Sequence, residues 1–465
     1  MGHDLTAPGD PQLAPGDARC PGPSTRELIA ADDITPPDQL LEDNYEFLGD
    51  GDIPFERYTS ASFYQAEFSK MWTRTWQWAC REEHIPSSGD YIVYDIGALS
   101  FIIIRTGDHT VKAFYNSCLH RGMQLCEPGT AGKDKQFIRC PFHGFTWNLD
   151  GSLREIPCRW DFPHIKEEEF CLPEIQVALW GGFVFVNMDP DATSLTEYLE
   201  VLPAHFSQWP LQERYVSLHV EKVLPANWKM AMEAFIEAFH VLATHSQSIR
   251  SASDANAQYD IYGANVSRFI HTIGHPSPHL ADAPSETDVL RTLGGQRLMD
   301  KEKGLPEGVI ARSTMAEHLR KSLSQEMGVD LSEVSTSQLM DSIEYFVFPN
   351  MFIFPGITIP MVYRFRPLTV DTCIHEILFL TPVPENAPPP PPAEKVRLEI
   401  EDSYATVDGF SHGLAFVLDQ DTENLMRQRA GVKAASKSGQ TLGNYQEARI
   451  RRLNMTLDEY LGATP

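Results

Sequence analysis

The stretch CLHRGMQLCEPGTAGKDKQFIRCPFHG, residues 118–144, contains two cysteine–histidine pairs in a short segment punctuated by glycine. Cys118 and His120 form the first pair, and Cys140 and His143 form the second. Pairs of this kind fit a zinc site, an iron–sulfur site or residues that bind no metal. The choice among these three decides which class of protein the sequence encodes.

The way the ligands are divided between two loops favours iron over zinc. Structural zinc sites usually take both cysteines of a pair from one Cys-x2-Cys knuckle. Here each loop supplies one cysteine and one histidine, and tight turns follow at Gly122 and Gly144. Two thiolates on one iron and two imidazoles on the other make a Rieske centre. Cys126 lies between the loops, and we predict that it is a small buried hydrophobe.

Composition excludes several classes of protein. The chain has 465 residues and a formal net charge of −26, which argues against a nucleic-acid partner. The sequence has no apolar run long enough for a membrane span and no apolar leader at its start. The eight cysteines are too few for a disulfide scaffold, so they are expected to be reduced thiols or metal ligands. We therefore expect a soluble, cytoplasmic protein.

The sequence suggests four regions. Residues 1–45 are rich in Pro, Gly and Asp and are predicted to form a mobile extension. Residues 46–77 are predicted to be helical, with one helix over Arg57–Trp78, and 78–190 contains short strands separated by turns. The remaining region, 191–465, is mixed. Within that region we predict an irregular insertion at about 275–340 and helices over about 394–430 and 444–461.

The stretch NWKMAMEAFIEAFHVLATH, which begins at Asn227, predicts a helix over 228–245. On an ideal helix His240 and His245 point about 140° apart, because successive residues turn by about 100°. They can meet at one ion only if the helix bulges or ends between them. Two imidazoles and one carboxylate, with other positions open, are typical of non-haem Fe(II) that activates dioxygen.

Together these motifs resemble the large (α) subunit of Rieske non-haem iron ring-hydroxylating oxygenases, from about Arg57 to the end. The resemblance implies an α+β fold, in which an all-β Rieske [2Fe-2S] domain is inserted into a helix-grip type catalytic domain with a central antiparallel sheet. It implies that Cys118 and Cys140 hold one iron of the cluster. His120 and His143 would hold the other iron.

The resemblance also implies a mononuclear Fe(II) site. His240 and His245 match the family's two histidine ligands. The third ligand is expected to be a carboxylate in FVLDQDTENLMRQ, where the register of Asp-x-x-Asn favours Asp421. Asp419 and Asp402 are the alternatives.

Two residues near this site depart from the family pattern. Glu237 stands where the family usually has Asp, and the resemblance implies that it connects the mononuclear site to His143 of the partner subunit. Ala234 stands where several relatives have Asn, so the site is expected to be drier.

A further departure concerns the Rieske loops. The Rieske proteins of respiratory and photosynthetic complexes have an extra, disulfide-bonded cysteine in each loop, and here Met123 and Phe142 occupy those places. The centre therefore resembles the low-potential oxygenase branch. Outside both motifs, His271, His275 and His279 are evenly spaced in a stretch with Gly and Pro, and we predict that they lie in a loop.

The resemblance implies an oxygenase that receives electrons from a ferredoxin or flavin reductase and uses dioxygen. The family also implies a homotrimer, or a trimer with a small second subunit. Strands within 344–365 have many aromatic residues, which favours a hydrophobic aromatic or polycyclic substrate. Cis-dihydroxylation, monohydroxylation and O- or N-demethylation stay open. A non-catalytic Rieske electron carrier is the alternative, which the second motif argues against.

Overall fold

The computed structural model describes Leu5, Gly9, Asp10, 12–384 and 387–462. The chain divides into two compact units, one interrupting the other in sequence. The inserted unit is Gln65–Tyr198 with Pro210–Glu213, and the outer unit has the described residues of Met1–Tyr64, Leu199–Trp209 and Arg214–Pro465. The inserted unit is wider than the predicted 78–190. It includes the helical turns before the first strand, Gln77–Arg81, which pairs with the last strand, Phe183–Asn187.

The inserted unit is built from two antiparallel sheets. β-branched and aromatic residues dominate its strands, as in YIVYDI and SFIIIRT, and their inward side chains are buried. The smaller sheet has Ile138–Arg139, Thr146–Trp147 and Leu153–Glu155, the last two forming the hairpin around Asp150 and Gly151. The order across the larger sheet is Gln77–Arg81, Phe183–Asn187, Glu174–Trp180, Thr110–Tyr115, Leu99–Gly107, Tyr91–Ile96 and Ala131–Gly132.

The outer unit has a central sheet whose neighbouring strands are antiparallel except at one edge. Stacked aromatic rings fill one part of its core: Phe352 lies on Tyr363 at 4.5 Å and Phe365 on His375 at 4.4 Å between ring centroids. The order across the sheet is Gln258–Ile261, Val266–His271, Ser342–Val347, Met351–Ile353, Met361–Thr369, Thr372–Pro382, Arg214–Leu224 and Lys395–Leu398. The predicted all-β domain inserted into an α+β domain is confirmed.

Helices of the outer unit pack on this sheet and beside it. The longest is His412–Ala434, which begins after the cap of Ser411, whose hydroxyl accepts from the amide of Leu414. The described part of the chain contains no helix that combines the length and the apolar character of a membrane span. The other α-helices of this unit are Thr25–Ala30, Glu56–Thr59, Ala61–Glu67, Leu202–His205, Trp228–Glu233, Val241–Thr244, Glu286–Thr292, Ala311–Met327, Thr336–Met340 and Ala448–Leu461, of which Ala61–Glu67 runs on into the inserted unit.

The N-terminal segment is more ordered than the sequence predicts. Within the predicted extension 1–45, the structure has the helix Thr25–Ala30 and fully buries Ile29 and Leu40. Asp32 accepts from the guanidinium of Arg312 at 3.0 Å, and both side chains are buried. Two apolar side chains and one buried ion pair anchor a segment whose overall composition is polar.

Other helix predictions are wrong in extent. The predicted helix over Arg57–Trp78 breaks at Ser60 and ends in a wider π-type turn, Phe68–Trp72. The insertion 275–340 contains three α-helices separated by irregular stretches. Serine caps start two of these helices, and apolar side chains of the insertion pack together. Within 394–430, Lys395–Leu398 is a strand because it pairs with the edge of the central sheet.

Candidate functional site

The two cysteine–histidine loops of the inserted unit have matching backbone geometry. The amide of each cysteine donates to the carbonyl five residues later, Cys118 to Met123 and Cys140 to Phe145, both at 2.8 Å. In each loop a glycine four residues after the cysteine donates back to the cysteine carbonyl, with a φ of 74° or 78° that favours glycine. The loops therefore present their two pairs of side chains in a related way.

The four side chains come together at one place. The ring centroids of His120 and His143 are 4.7 Å apart, and Phe145 stacks on His120 at 4.6 Å. The thiols of Cys118 and Cys140 are hydrogen-bonded neighbours, and burial is the main cause that raises the pKa of Cys118. The buried Nδ1 of His120 has no hydrogen-bond partner among the described residues. Two thiols and two imidazoles with a free ring nitrogen fit a Rieske cluster.

In the outer unit, the predicted helix over 228–245 is interrupted. Trp228–Glu233 is helical, an irregular turn follows, and a short helix Val241–Thr244 comes after it. His240 directly precedes the short helix and His245 directly follows it. The break brings the two rings together, with centroids 5.1 Å apart.

His240, His245 and Asp421 converge on one point. Oδ1 of Asp421 lies 2.8 Å from Nε2 of His245 and 3.4 Å from Nε2 of His240. The three atoms lie within 4.8 Å of one another, and within the described part of the chain the buried Oδ1 has no well-formed hydrogen bond. Three donor atoms directed at a common point fit a facial two-histidine, one-carboxylate metal site.

The Nδ1 atoms of both imidazoles, which point away from the convergent group, contact hydrogen-bond acceptors. Nδ1 of His240 lies 2.7 Å from Oε1 of Glu237, and Nδ1 of His245 lies 3.0 Å from Oε1 of Gln420. An acceptor at Nδ1 keeps the proton there and leaves the Nε2 lone pair free for a metal. Sequence reasoning found Glu237 but missed Gln420, whose only signal is its place beside Asp421.

The electrostatics of the site favour positive charge. Burial lowers the pKa of His240, but the carboxylates of Glu237 and Asp421 outweigh burial and raise this pKa to about 10. Burial raises the pKa of Asp421, and its interactions with His240 and His245 outweigh burial and lower it. A site that attracts a proton so strongly also favours a divalent cation in its place.

The alternative acids have other partners. Asp419 accepts from the hydroxyl of Ser403 at 2.5 Å and from the amide of Tyr404 at 3.1 Å. Asp402 accepts from the amide of Glu399 at 2.8 Å. Neither joins the group formed with Asp421.

A cavity of about 200 Å³ lies against this site. Ala234 lines it, and so do Glu233, Glu237 and Glu447. Burial is the main cause that raises the pKa of Glu447 to about 7, and it also raises the pKa of Glu233. The cavity wall is therefore polar and acidic, whereas the sequence predicts a drier site.

Of the histidines outside the motifs, His275 and His279 lie in irregular backbone as predicted, whereas His271 lies beside the mononuclear site. His271 is the last residue of the strand Val266–His271, so its predicted place in a loop is wrong. Burial, and then the neighbouring His240 and His245, lower the pKa of His271 to about 4. It is a neutral, buried neighbour of the site, and pairing in the sheet overrides the glycine and proline that follow it.

Comparisons with known proteins agree with this geometry. Residues 75–166 match the Rieske [2Fe-2S] domain family, and residues 204–463 match the family described as ring hydroxylating alpha subunit (catalytic domain). The second match covers more than half of the chain. The chain therefore belongs to the ring-hydroxylating alpha-subunit family, whose catalytic domain binds a mononuclear iron. The resemblance inferred from the sequence is confirmed.

Individual relatives share part of their length with this chain. The carnitine monooxygenase oxygenase subunit of Escherichia coli is 29% identical over 195 residues, 42% of this chain and 52% of the relative. The chlorobenzene dioxygenase alpha subunit of a Cupriavidus species is 32% identical over 195 residues, 40% and 42% of the two chains. The chain thus matches about half the length of these relatives.

Solved structures show the same fold. A quaternary ammonium Rieske monooxygenase aligns with a TM-score of 0.61 at 17% identity, over 88% of this chain and 95% of the other. A naphthalene 1,2-dioxygenase variant bound to phenanthrene aligns with a TM-score of 0.61 at 18% identity, over 90% and 94%. At these identities the likeness supports the fold alone.

Proposed function

We propose that this chain is the oxygenase component of a multicomponent Rieske non-haem iron system. The observation that carries the proposal is the convergence of His240, His245 and Asp421, with both Nε2 atoms directed inward. A pure electron carrier has no use for this second group. We assign the cluster to Cys118, His120, Cys140 and His143, and the mononuclear iron to the convergent three.

When bound, the cluster supplies electrons and the iron activates dioxygen for insertion into substrate. The protein residues position these groups. Glu237 and Gln420 fix the ring orientations of His240 and His245 and keep a proton on each Nδ1. The electrons come from a ferredoxin or flavin reductase.

We further propose that the chain forms a trimer in which Glu237 reaches a cluster ligand of a neighbour. Its Oε1 accepts from Nδ1 of His240 and its Oε2 from the amide of His240 at 3.0 Å. Each oxygen has a second lone pair, so the carboxylate can also accept from His143 of the partner subunit. Sedimentation of active protein is expected to give three α chains per particle, and an active monomer would contradict this assembly.

Glu237→Gln is expected to slow electron transfer without unloading either metal centre. The amide keeps the length but weakens the acceptor facing the imidazole N–H of His240. Loss of such an outer-shell contact typically costs about 10- to 100-fold in activity. Rapid mixing of reduced, substrate-bound protein with dioxygen measures this as slower reoxidation of the cluster.

Glu42→Gln is a matched control for this variant. Glu42 lies 3.5 Å from Nε2 of His205, so it forms another glutamate–histidine pair of the outer unit that is not part of the metal site. Its reoxidation rate should equal that of the wild type. Equal rates for Glu237→Gln and wild type would leave Glu237 as an ordinary buried acid.

For the substrate, the first candidate is a hydrophobic aromatic or polycyclic compound. Phe235 follows Ala234 at the cavity and packs on the rings of Tyr363, Phe365 and His375, with centroids 5.1 to 5.7 Å apart. If the side chains of these rings shift, they would present an apolar surface on which a flat aromatic substrate can stack. Related alpha subunits are named for chlorobenzene and biphenyl.

The acidic wall of the cavity favours a second candidate, a cationic amine such as a quaternary ammonium compound. Four acidic side chains line the cavity (those of Glu233, Glu237, Asp421 and Glu447), and no Lys or Arg is among the described residues that line it. Such a wall favours a cationic group over a neutral hydrocarbon. One relative is named for carnitine. Hydroxylation of carbon beside the nitrogen would then lead to dealkylation.

Single-turnover reactions distinguish the two candidates. Fully reduced protein is mixed with isotopically labelled dioxygen and with naphthalene, choline or no substrate, and the products are identified by mass spectrometry. The aromatic candidate predicts labelled product and faster cluster reoxidation with naphthalene, and the cationic candidate predicts both with choline. If no compound of a wider panel speeds reoxidation of the reduced cluster, the oxygenase proposal is contradicted.

A further inference from the structure

Glu237 lies in a helix break that the local sequence does not explain. The stretch 228–245 contains neither glycine nor proline, and most of its residues favour helix. Yet Trp228–Glu233 ends before Glu237, and the next helix, Val241–Thr244, starts after it. Contacts from elsewhere in the chain must therefore hold the break open.

Two backbone hydrogen bonds of a continuous helix are replaced at this break. In a helix the amide of His240 would donate to the carbonyl of Ile236. Here that amide donates to Oε2 of Glu237 at 3.0 Å, and the carbonyl accepts from Nη1 of Arg449 at 2.9 Å. The amide of Ala238 would likewise donate to the carbonyl four residues earlier, but it donates to the hydroxyl of Tyr259 at 3.0 Å. The two residues flanking Glu237 are thus both tied to other elements.

Arg449 is a fixed anchor. It lies on the C-terminal helix Ala448–Leu461, and its side chain is fully buried. Besides the carbonyl of Ile236, its guanidinium donates to Oε1 of Glu344 at 3.1 Å and to the hydroxyl of Ser267 at 3.0 Å. Because both of these partners lie on neighbouring strands of the central sheet, the carbonyl is held against that sheet.

Tyr259 is fixed in the same way. It is fully buried on the strand Gln258–Ile261, and its hydroxyl donates to Oε1 of Gln446 at 3.0 Å. The amide group of Gln446 in turn donates to the carbonyl of Ala255 at 2.9 Å. Because the hydroxyl proton is committed to Gln446, its oxygen is left as an acceptor for the amide of Ala238.

We propose that Arg449 and Tyr259 are positioning residues. By preventing the segment around Glu237 from forming a continuous helix, they keep the Glu237 carboxylate hydrogen-bonded to His240. Arg449 holds the carbonyl before Glu237, and Tyr259 holds the amide after it. The consequence for electron transfer rests on the proposed function, in which Glu237 connects the two metal centres. The clamp itself is a property of the resting protein.

Tyr259→Phe is the variant that tests the clamp, because it removes one oxygen atom and little volume. Arg449 is less suitable, since its removal would take the ion-pair partner from the buried carboxylate of Glu344 and could prevent folding. Tyr345→Phe is the matched control. Tyr345 is equally buried on the same sheet, and its hydroxyl contacts Nδ1 of His205 at 2.9 Å and Nη1 of Arg268 at 3.2 Å.

The first measurement is hydrogen exchange of peptides covering 234–240 in resting protein with both metal centres loaded. In Tyr259→Phe the buried amide of Ala238 loses its acceptor, which destabilises the native conformation of this segment. Exchange should therefore be roughly 10-fold faster than in wild type. Tyr345→Phe should exchange like wild type over these residues. Unchanged exchange in Tyr259→Phe, or an equal increase in the control, would overturn the clamp whatever the enzyme does.

The second measurement is a double-mutant cycle on cluster reoxidation in a single turnover. Tyr259→Phe should slow reoxidation by about 10-fold while KM for substrate stays unchanged, as for loss of an outer-shell contact. If Tyr259 acts through Glu237, adding Tyr259→Phe to Glu237→Gln should cause no further slowing. If the two single-variant effects multiply in the double variant, Tyr259 acts independently of Glu237 and the inference is overturned. A normal rate in Glu237→Gln alone would instead overturn the proposed role of Glu237.

Discussion

Asp421→Ala is expected to abolish substrate oxidation while the inserted unit keeps its cluster. Asp421 supplies the only carboxylate oxygen in the convergent group, 2.8 Å from Nε2 of His245. Two imidazoles alone hold Fe(II) weakly, and the site also loses the negative charge that attracts a cation. We expect iron analysis to fall from three to two per chain. The loss of turnover should exceed the roughly 10- to 100-fold typical of outer-shell changes.

Asp419→Asn separates the ligand role from general damage to the helix His412–Ala434. Asp419 lies two residues away on the same helix, but it hydrogen-bonds Ser403 and the backbone of Tyr404. We expect it to retain three irons per chain and to oxidise substrate. If Asp419→Asn loses the iron and Asp421→Ala keeps it, our assignment of the third ligand is wrong.

The cluster loops were the most predictable part of this molecule. Their ligands lie within one short segment, and spacing alone brings each cysteine close to its histidine partner. The glycines at 122 and 144 have the positive φ that the tight turns of these loops require. Local sequence and local structure agree here, so little depends on distant contacts.

The sequence pointed to His240, His245 and Asp421, which the structure brings together, but it did not predict the geometry that does so. The spacing of His240 and His245 shows that an unbroken helix cannot bring them together, and nothing within the segment indicates where it breaks. The break depends on Tyr259 and Arg449, which are remote in sequence, and Asp421 comes from a third element. Only the tertiary structure places these groups together.

The remaining errors have the same origin. The strand Lys395–Leu398 reads as helical because its sequence, KVRL, has no strong strand pattern, and pairing with the sheet edge decides its conformation. The polar residues around Thr25–Ala30 suggest disorder, yet a capping box at Ser24 and one buried ion pair at Asp32 give the segment fixed partners. Local propensity is a weak guide where a few tertiary contacts outweigh it.

The largest structural effect is expected from Cys140→Ser. Cys140 is buried, its thiol adjoins that of Cys118, and its loop has little regular structure, since only two-residue strands flank it. Metal binding is coupled to folding in such loops, so removal of one thiolate should remove the cluster and destabilise the loops around it. In wild type, the reduced protein should give the rhombic electron-spin resonance of a mixed cysteine–histidine cluster. In the variant this signal should be absent.

Cys126→Ser shows whether any buried cysteine of this region has the same effect. Cys126 lies between the two loops and is also buried, and its amide donates to Asn116 at 2.9 Å. Its thiol hydrogen-bonds with the side chains of Tyr91 and Lys135, which are not cluster ligands. We expect the full cluster signal in Cys126→Ser. Bound zinc would contradict the Rieske assignment. So would a spectrum typical of a cluster held by four cysteines, because His120 and His143 lie together beside the two thiols.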